Sequence, residues 1–210
     1  MTVKERLEEA YLIPVVVMDD AARAVDTAKA LIAGGIKVME ITFRTSAAIE
    51  SIEKVAKACP NLLVGGGTVL TVEQCHQAVS KGASFIVSPG FEPDIVEYCH
   101  RNDIMAIPGC VTPSEITTAM RAGINIIKFF PANVYGGIKA INALSGPFPH
   151  IKFVPTGGVD LNNLADFIIP EVFAVGGGWL CDRKMINAGN YEEITQIGIK
   201  SLEVVRNMRE

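Results

Sequence analysis

The feature that most constrains this chain is an eightfold alternation of short apolar runs with longer amphipathic stretches, fitted into 210 residues. The runs at 13–17, 36–43, 62–65, 85–87, 105–107, 124–130, 152–155 and 172–175 have the length and composition of strands. Between and after them, 20–34, 45–58, 71–81, 92–102, 113–122, 136–145, 160–168 and 190–208 repeat apolar residues at helical spacing. Start and stop signals support several of these helices. Gly34-Gly35, Gly82 and Gly123 follow helical stretches, Thr112-Pro113-Ser114-Glu115 opens one, and Asp160 is a predicted N-cap. Eight strand-helix pairs of near-minimal length predict a (β/α)8 TIM barrel with a short N-terminal helix leading in, and an open doubly wound sheet is the alternative. No linker, charge block or low-complexity segment divides the chain, so residues 1–210 are read as a single domain.

Composition narrows the partners. A net charge of -4 leaves no basic stripe to neutralise phosphates, which argues against nucleic acid and in favour of a small metabolite. The five cysteines form no C-x-x-C pair, and they are read as small apolar core residues in a reducing compartment. The first ten residues are charged and helix-prone, unlike a signal peptide, and no apolar stretch is long enough to span a bilayer, so a cytoplasmic location without membrane contact is expected. His76 and His100 fall in predicted helices and His150 in a loop, away from strand ends, so neither a metal centre nor a cofactor is expected.

In a barrel, chemistry gathers at the C-terminal ends of the strands, and that rule separates the lysines. Lys37 and Lys152 begin their strands, whereas Lys128 stands near the end of Ile124-Asn125-Ile126-Ile127-Lys128-Phe129-Phe130. Burial of an ammonium there favours the neutral amine, which is a nucleophile toward carbonyl carbon. In the second strand Glu40, Thr42 and Arg44 share one face, as Ile126, Lys128 and Phe130 do in the sixth. If both faces point inward, Glu40 meets Lys128 and can shuttle protons; a purely structural buried ion pair fits the same residues. Arg44 can fork onto a substrate carboxylate or serve as a surface residue of its loop. Glycine clusters follow the predicted third, seventh and eighth strands: Gly65-Gly66-Gly67-Thr68, Thr156-Gly157-Gly158 and Gly176-Gly177-Gly178. The last two stand where barrels of this type bind phosphate through backbone N–H groups, although turn geometry alone also selects glycine.

Taken in order, Pro14-Val15-Val16-Val17, Glu40-Ile41-Thr42-Phe43-Arg44-Thr45, Gly65-Gly66-Gly67-Thr68-Val69, Ser88-Pro89-Gly90, Ile107-Pro108-Gly109, Lys128-Phe129-Phe130-Pro131-Ala132 and Pro155-Thr156-Gly157-Gly158 resemble the 2-dehydro-3-deoxy-6-phosphogluconate (KDPG) and 4-hydroxy-2-oxoglutarate aldolase family over nearly the whole chain. The resemblance implies a metal-free class I aldolase on a (β/α)8 barrel, usually a homotrimer. By position, Lys128 resembles the Schiff-base lysine and Glu40 the general acid/base. Arg44 and Thr68 match residues that hold the pyruvyl carboxylate, and Pro89, Phe130 and Thr156 match the lining of the same pocket. Gly157 and Gly158, with Gly177 and Gly178, match the phosphate-binding turns. Gly178 stands where well-known members carry serine, so one hydroxyl to the phosphate is absent here. Asn133-Val134-Tyr135 replaces a smaller segment containing an acid.

The activity so implied is cleavage of KDPG to pyruvate and glyceraldehyde 3-phosphate, and of 4-hydroxy-2-oxoglutarate to pyruvate and glyoxylate. The residues leave open the galactonate epimer, an unphosphorylated 2-keto-4-hydroxy acid, a phosphosugar isomerase or epimerase that needs only a glutamate base, and a non-catalytic barrel that binds a sugar phosphate.

Overall fold

Side-chain alternation along the strands produces two separate cores, one on each face of the sheet. The computed structural model describes residues 1–209; Glu210, the last residue of the predicted domain, lies outside the described residues. Eight strands run in chain order: β1 Leu12–Val16, β2 Val38–Thr42, β3 Leu63–Gly67, β4 Phe85–Val87, β5 Met105–Ile107, β6 Ile126–Phe129, β7 Lys152–Pro155 and β8 Val175–Gly177. The helices are α1 Val3–Ala10, α2 Ala24–Ala33, α3 Ala48–Ala58, α4 Val72–Ser80, α5 Pro93–Arg101, α6 Pro113–Arg121, α7 Gly137–Ser145, α8 Arg183–Ala188 and α9 Tyr191–Arg209. Six strands form one parallel sheet in the order β5-β4-β3-β2-β1-β8, and β6 pairs with β7 in parallel. Single bridges link Gly109 to Lys128, Phe153 to Val172 and Thr156 to Gly176, joining the pair to both ends of the sheet.

One core gathers Ile13, Val38, Leu63, Phe85, Val87, Ile107, Ile126 and Val154 of the first seven strands with Phe173 and Ala174 from the approach to β8. Leu7 and Ala10 of α1 complete it at the end where the strands begin. A larger core fills the space between strands and flanking helices, including Met39 and Ile41 of β2, Ile86 of β4 and Ile127 and Phe129 of β6. Within β2 and β6 the inner positions are therefore Val38 and Ile126, and two residues further along come Glu40 and Lys128.

Helix ends follow the sequence where a capping pair exists. Thr112 accepts from Glu115 N at 3.3 Å and Glu115 returns the bond to Thr112 N at 2.8 Å, closing the box that starts α6. Gly35, Gly82 and Gly123 take positive φ after α2, α4 and α6. Three expectations need correction. The stretch 160–168 folds as turns with a single 3-10 segment, Leu164–Phe167, and Asp160 caps no helix; its Oδ1 closes a local turn by accepting from Asn162 N at 2.8 Å. A short helix, α8, forms in a stretch where the sequence pattern predicts no element, capped by Asp182 accepting from Lys184 N.

The third correction concerns the glycine clusters after the third and eighth strands, which lie largely within strands. Gly65, Gly66 and Gly67 are ladder residues of β3, and Gly176 and Gly177 belong to β8, which starts at Val175, the last residue of the 172–175 run that the sequence assigns to this strand. The reason is space. A Cβ on Gly65 would stand 2.3 Å from the Phe85 ring, one on Gly67 2.2 Å from Glu40 Oε1, and one on Gly176 2.3 Å from Thr156 Oγ1. Glycine here makes room for neighbouring side chains instead of turning the chain.

Candidate active site

The two unexpected strand charges meet. Lys128 Nζ lies 3.4 Å from Glu40 Oε1, and both side chains are 3% exposed. Each arrives there through its own ladder. β2 sits in mid-sheet with Glu40 in register with Val15 and Gly65, and β6 is tied to the end of β5 by Lys128 N donating to Pro108 O at 2.9 Å. Gly67 leaves the volume that the Glu40 carboxyl occupies. Phe130, two residues beyond Lys128 on the same face, sets its ring 5.3 Å from Nζ. An amine and a carboxylate in contact and shielded from water are equipped for nucleophilic attack and proton relay.

A cavity of about 280 Å³ opens beside this pair, lined by Arg44, Phe130, Thr156, Gly157 and Gly178 together with Val15, Val17, Trp179, Cys181, Asp182 and Arg183. Larger cavities occur at the other end of the strands, where Lys37 and Lys152 also lie, but they contain none of the buried charges. Arg44 sits in the turn after β2 and donates from Nε to Thr68 Oγ1 at 3.3 Å. Thr68 has φ +53°, a conformation that costs a β-branched residue about 1–3 kcal/mol and that persists where the surroundings fix it. Thr156 is buried at the end of β7 against Gly176.

Five of the residues singled out from sequence thus share one cavity, Thr68 is tethered to it through Arg44, and the Lys128–Glu40 pair adjoins it through Phe130. Pro89, Gly158 and Gly177 do not line the cavity. Pro89 follows β4 with its carbonyl pressed on Gly109, leaving 2.0 Å to the site of a Cβ there. Gly158 takes φ +76° and faces the Asn133 side chain, while Gly177 lies beneath the Trp179 ring, so packing accounts for the glycine at both positions. Tyr135, half exposed, stacks edge-on against Phe129 at 6.4 Å.

Sequence reasoning missed a second charged group of this cavity. Arg183 of α8 donates from Nε and Nη2 to both oxygens of Asp19, at 2.7 and 2.5 Å, and Asn187 Nδ2 donates to the same carboxylate at 2.7 Å. These bonds hold the Asp19 carboxyl down at about 2. Asp19 and Arg183 are 164 residues apart in polar segments without periodicity. The only available signal was that each closely follows the C-terminal end of a strand. Cys181, also at the cavity, is a buried thiol pushed up to about 12 by desolvation and then by the Asp182 charge, so it stays protonated and unreactive. Among the described residues, no group of three or more His, Cys, Asp or Glu side chains could hold a metal ion, and no helix is long and apolar enough to cross a membrane.

Comparison with known proteins bears on this arrangement directly. A family model described as aldolase, KDPG and KHG aldolase, matches residues 3–197. A 2-dehydro-3-deoxy-phosphogluconate aldolase of Treponema pallidum (strain Nichols) is 44% identical over 206 residues, with 98% of each chain covered. The KHG/KDPG aldolase of Escherichia coli (strain K12) is 39% identical, with 91% of each chain covered. The crystal structure of KDPG aldolase from Legionella pneumophila, with pyruvate captured at low pH as a covalent carbinolamine intermediate, matches with a TM-score of 0.90 and 38% identity, covering 94% of this chain and 97% of that one. The chain belongs to the KDPG and KHG aldolase family.

Proposed function

We propose that this chain is a class I aldolase that cleaves KDPG to pyruvate and glyceraldehyde 3-phosphate, and 4-hydroxy-2-oxoglutarate to pyruvate and glyoxylate. The observation that carries the reading is the buried contact between Lys128 Nζ and Glu40 Oε1, in a chain whose relatives are named for this activity.

In this reading neutral Lys128 attacks the C2 ketone of a 2-keto-4-hydroxy acid, forming the N–C bond of a carbinolamine. Glu40 delivers the proton that lets water leave, and the protonated imine results. The C3–C4 bonding electrons flow into that imine as the C4 hydroxyl passes its proton to the Glu40 carboxylate, releasing an aldehyde and leaving an enamine. Protonation at C3 and hydrolysis of the C–N bond free pyruvate and restore the amine. Arg44, braced by Thr68, holds the carboxylate next to the ketone so that the carbonyl carbon faces Nζ. Phe130 and Thr156 shape the pyruvyl end, and the backbone at Gly157 and Gly178, which border the same cavity, receives the phosphate.

The fold reading belongs with this function. The eight strands close into one (β/α)8 barrel, supported by the bridges that join the β6–β7 pair to its neighbours and by an interior core drawn from all eight strand segments. The barrel is a single domain over residues 1–210, acts in the cytoplasm and assembles as a homotrimer; family resemblance carries the last of these.

Incubation with pyruvate followed by borohydride, then peptide mass mapping, tests the reading. The expected result is a reduced adduct on the peptide containing Lys128 together with loss of activity. An adduct on Lys37 or Lys152, or none at all, would refute it and favour a barrel that binds sugar phosphates without turning them over.

A further inference from the structure

The cavity beside Lys128 is lined by two arginines, Arg44 in the turn after β2 and Arg183 at the start of α8, and the mechanism uses only Arg44. Arg183 borders the same space as Gly157 and Gly178, the glycines of the seventh and eighth strand ends. Its guanidinium is not free to wander. Nε and Nη2 are docked on the two oxygens of Asp19, and Asn187 braces that carboxylate from another direction. A guanidinium carries five N–H donors. Two are used in this bidentate contact, and Nη1 has no hydrogen-bond partner among the described residues. Arginine fixed on one edge with donors left on another is suited to gripping a second anion with planar specificity.

The surroundings indicate which anion. Gly178 brings no side-chain donor, and the position is open: an added Cβ would find nothing closer than Val15 O at 3.8 Å. The acid that lines the cavity, Asp182, uses Oδ1 to cap α8 by accepting from Lys184 N at 2.7 Å. Besides Arg44, Arg183 is therefore the only cationic side chain lining the cavity among the described residues. Two cations in one cavity match a substrate that is anionic at both ends.

We propose that Arg183 is the specificity-determining residue for the distal phosphate of the substrate, donating charge-assisted hydrogen bonds to it where this chain has glycine at position 178. The proposal rests on the aldolase reading above and adds a residue to it: a cationic side-chain donor for the phosphate, beside the backbone of the glycine turns. Asp19 holds the guanidinium at the rim, and the glycine turn supplies the backbone donors.

The test compares kcat and KM for KDPG and for the same acid lacking the 6-phosphate, in the wild type, Arg183→Ala and Arg183→Lys, with pyruvate-borohydride trapping in each. A hydrogen bond to a charged group contributes about 1.5–3 kcal/mol, so Arg183→Ala should raise KM for KDPG by about 10–150-fold. Its kcat, the pyruvate adduct and the kinetics of the unphosphorylated acid should stay within about twofold. Arg183→Lys should recover part of the loss, because it keeps the charge but not the fork. An unchanged KM for KDPG, or an equal rise for both acids, would overturn the proposal. Failure of the wild type to form the adduct and to cleave either acid would instead overturn the aldolase reading, and the proposal with it.

Discussion

The strand-borne end of this site and its loop-borne rim are built on opposite physical terms. Lys128 and Glu40 sit on the ladders of β6 and β2, almost wholly buried, with Gly67 leaving space for the Glu40 carboxyl. Arg44 stands on the turn after β2 and Arg183 at the start of α8, both exposed to solvent, each steadied by a single partner group. The inner pair resists displacement because moving it disturbs packed strands. The rim can change residue by residue at little cost to folding. In the mechanism proposed above, bond-making chemistry is thus assigned to the rigid part, and selection among substrates to the part that tolerates variation.

The largest effect should follow from removing the proposed nucleophile. Lys128→Arg keeps a cation against Glu40 but offers no neutral amine, so steady-state turnover should fall by about 10³-fold or more and the borohydride adduct should disappear. Glu40→Gln should come next, lowering kcat by about 10²-fold while a pyruvate analogue still binds. Removing one member of a buried pair also costs about 3–5 kcal/mol of stability, so melting curves should accompany the kinetics. A Glu40→Gln enzyme that loses stability yet keeps kcat would recast the pair as structural and erase the contrast drawn above.

Two glycines on one face of β3 sharpen the comparison further. A methyl at Gly67 would overlap the Glu40 carboxyl, whose flexible end can swing away from Lys128, whereas one at Gly65 would press into the Phe85 ring inside the core. Gly67→Ala should therefore lower kcat by about 10-fold or more with a small change in melting temperature. Gly65→Ala should mainly destabilise, by about 1–3 kcal/mol as overpacked cores do. Equal behaviour of the two in paired melts and rate measurements would mean that β3 responds as a unit, with no separate role for the space around Glu40.

The inner end was legible in the sequence because burial and periodicity announce it. A lysine and a glutamate within apolar runs violate the pattern of their strands, and a period of two assigns each to a face. The bounds of β4, β5 and β7 followed from the same rule, with short apolar runs between helical stretches. Glycine misled it. Gly65-Gly66-Gly67 and Gly176-Gly177 read as turns because sequence shows only the absence of a side chain, not whose side chain fills the vacancy. The rim was legible only in part. Arg44 follows its strand directly, but Arg183 lies in a polar segment whose helix is too short to show a period, and its partner Asp19 is distant in the chain. Thr68 gives no sign in the sequence of its positive φ.

The smallest effect tests whether the rim can be rebuilt without touching the strands. Gly178 has φ -80°, which any residue adopts, and open space beyond its Cα, so Gly178→Ser should fold as the parent does. A serine hydroxyl there would face the cavity shared by Gly157 and Arg183 and add a donor of about 0.5–1.5 kcal/mol. KM for KDPG should fall by about 2- to 10-fold, while kcat and the kinetics of 4-hydroxy-2-oxoglutarate, which lacks the phosphate, stay as they are. The expectation differs in the absence of Arg183. If hydroxyl and guanidinium grip one phosphate, the serine should give a larger improvement in Arg183→Ala than in the parent, because the parent's phosphate is already partly satisfied. Strict additivity would assign the two groups to separate subsites, and a change in kcat at position 178 would show that rim and strand pair are coupled after all.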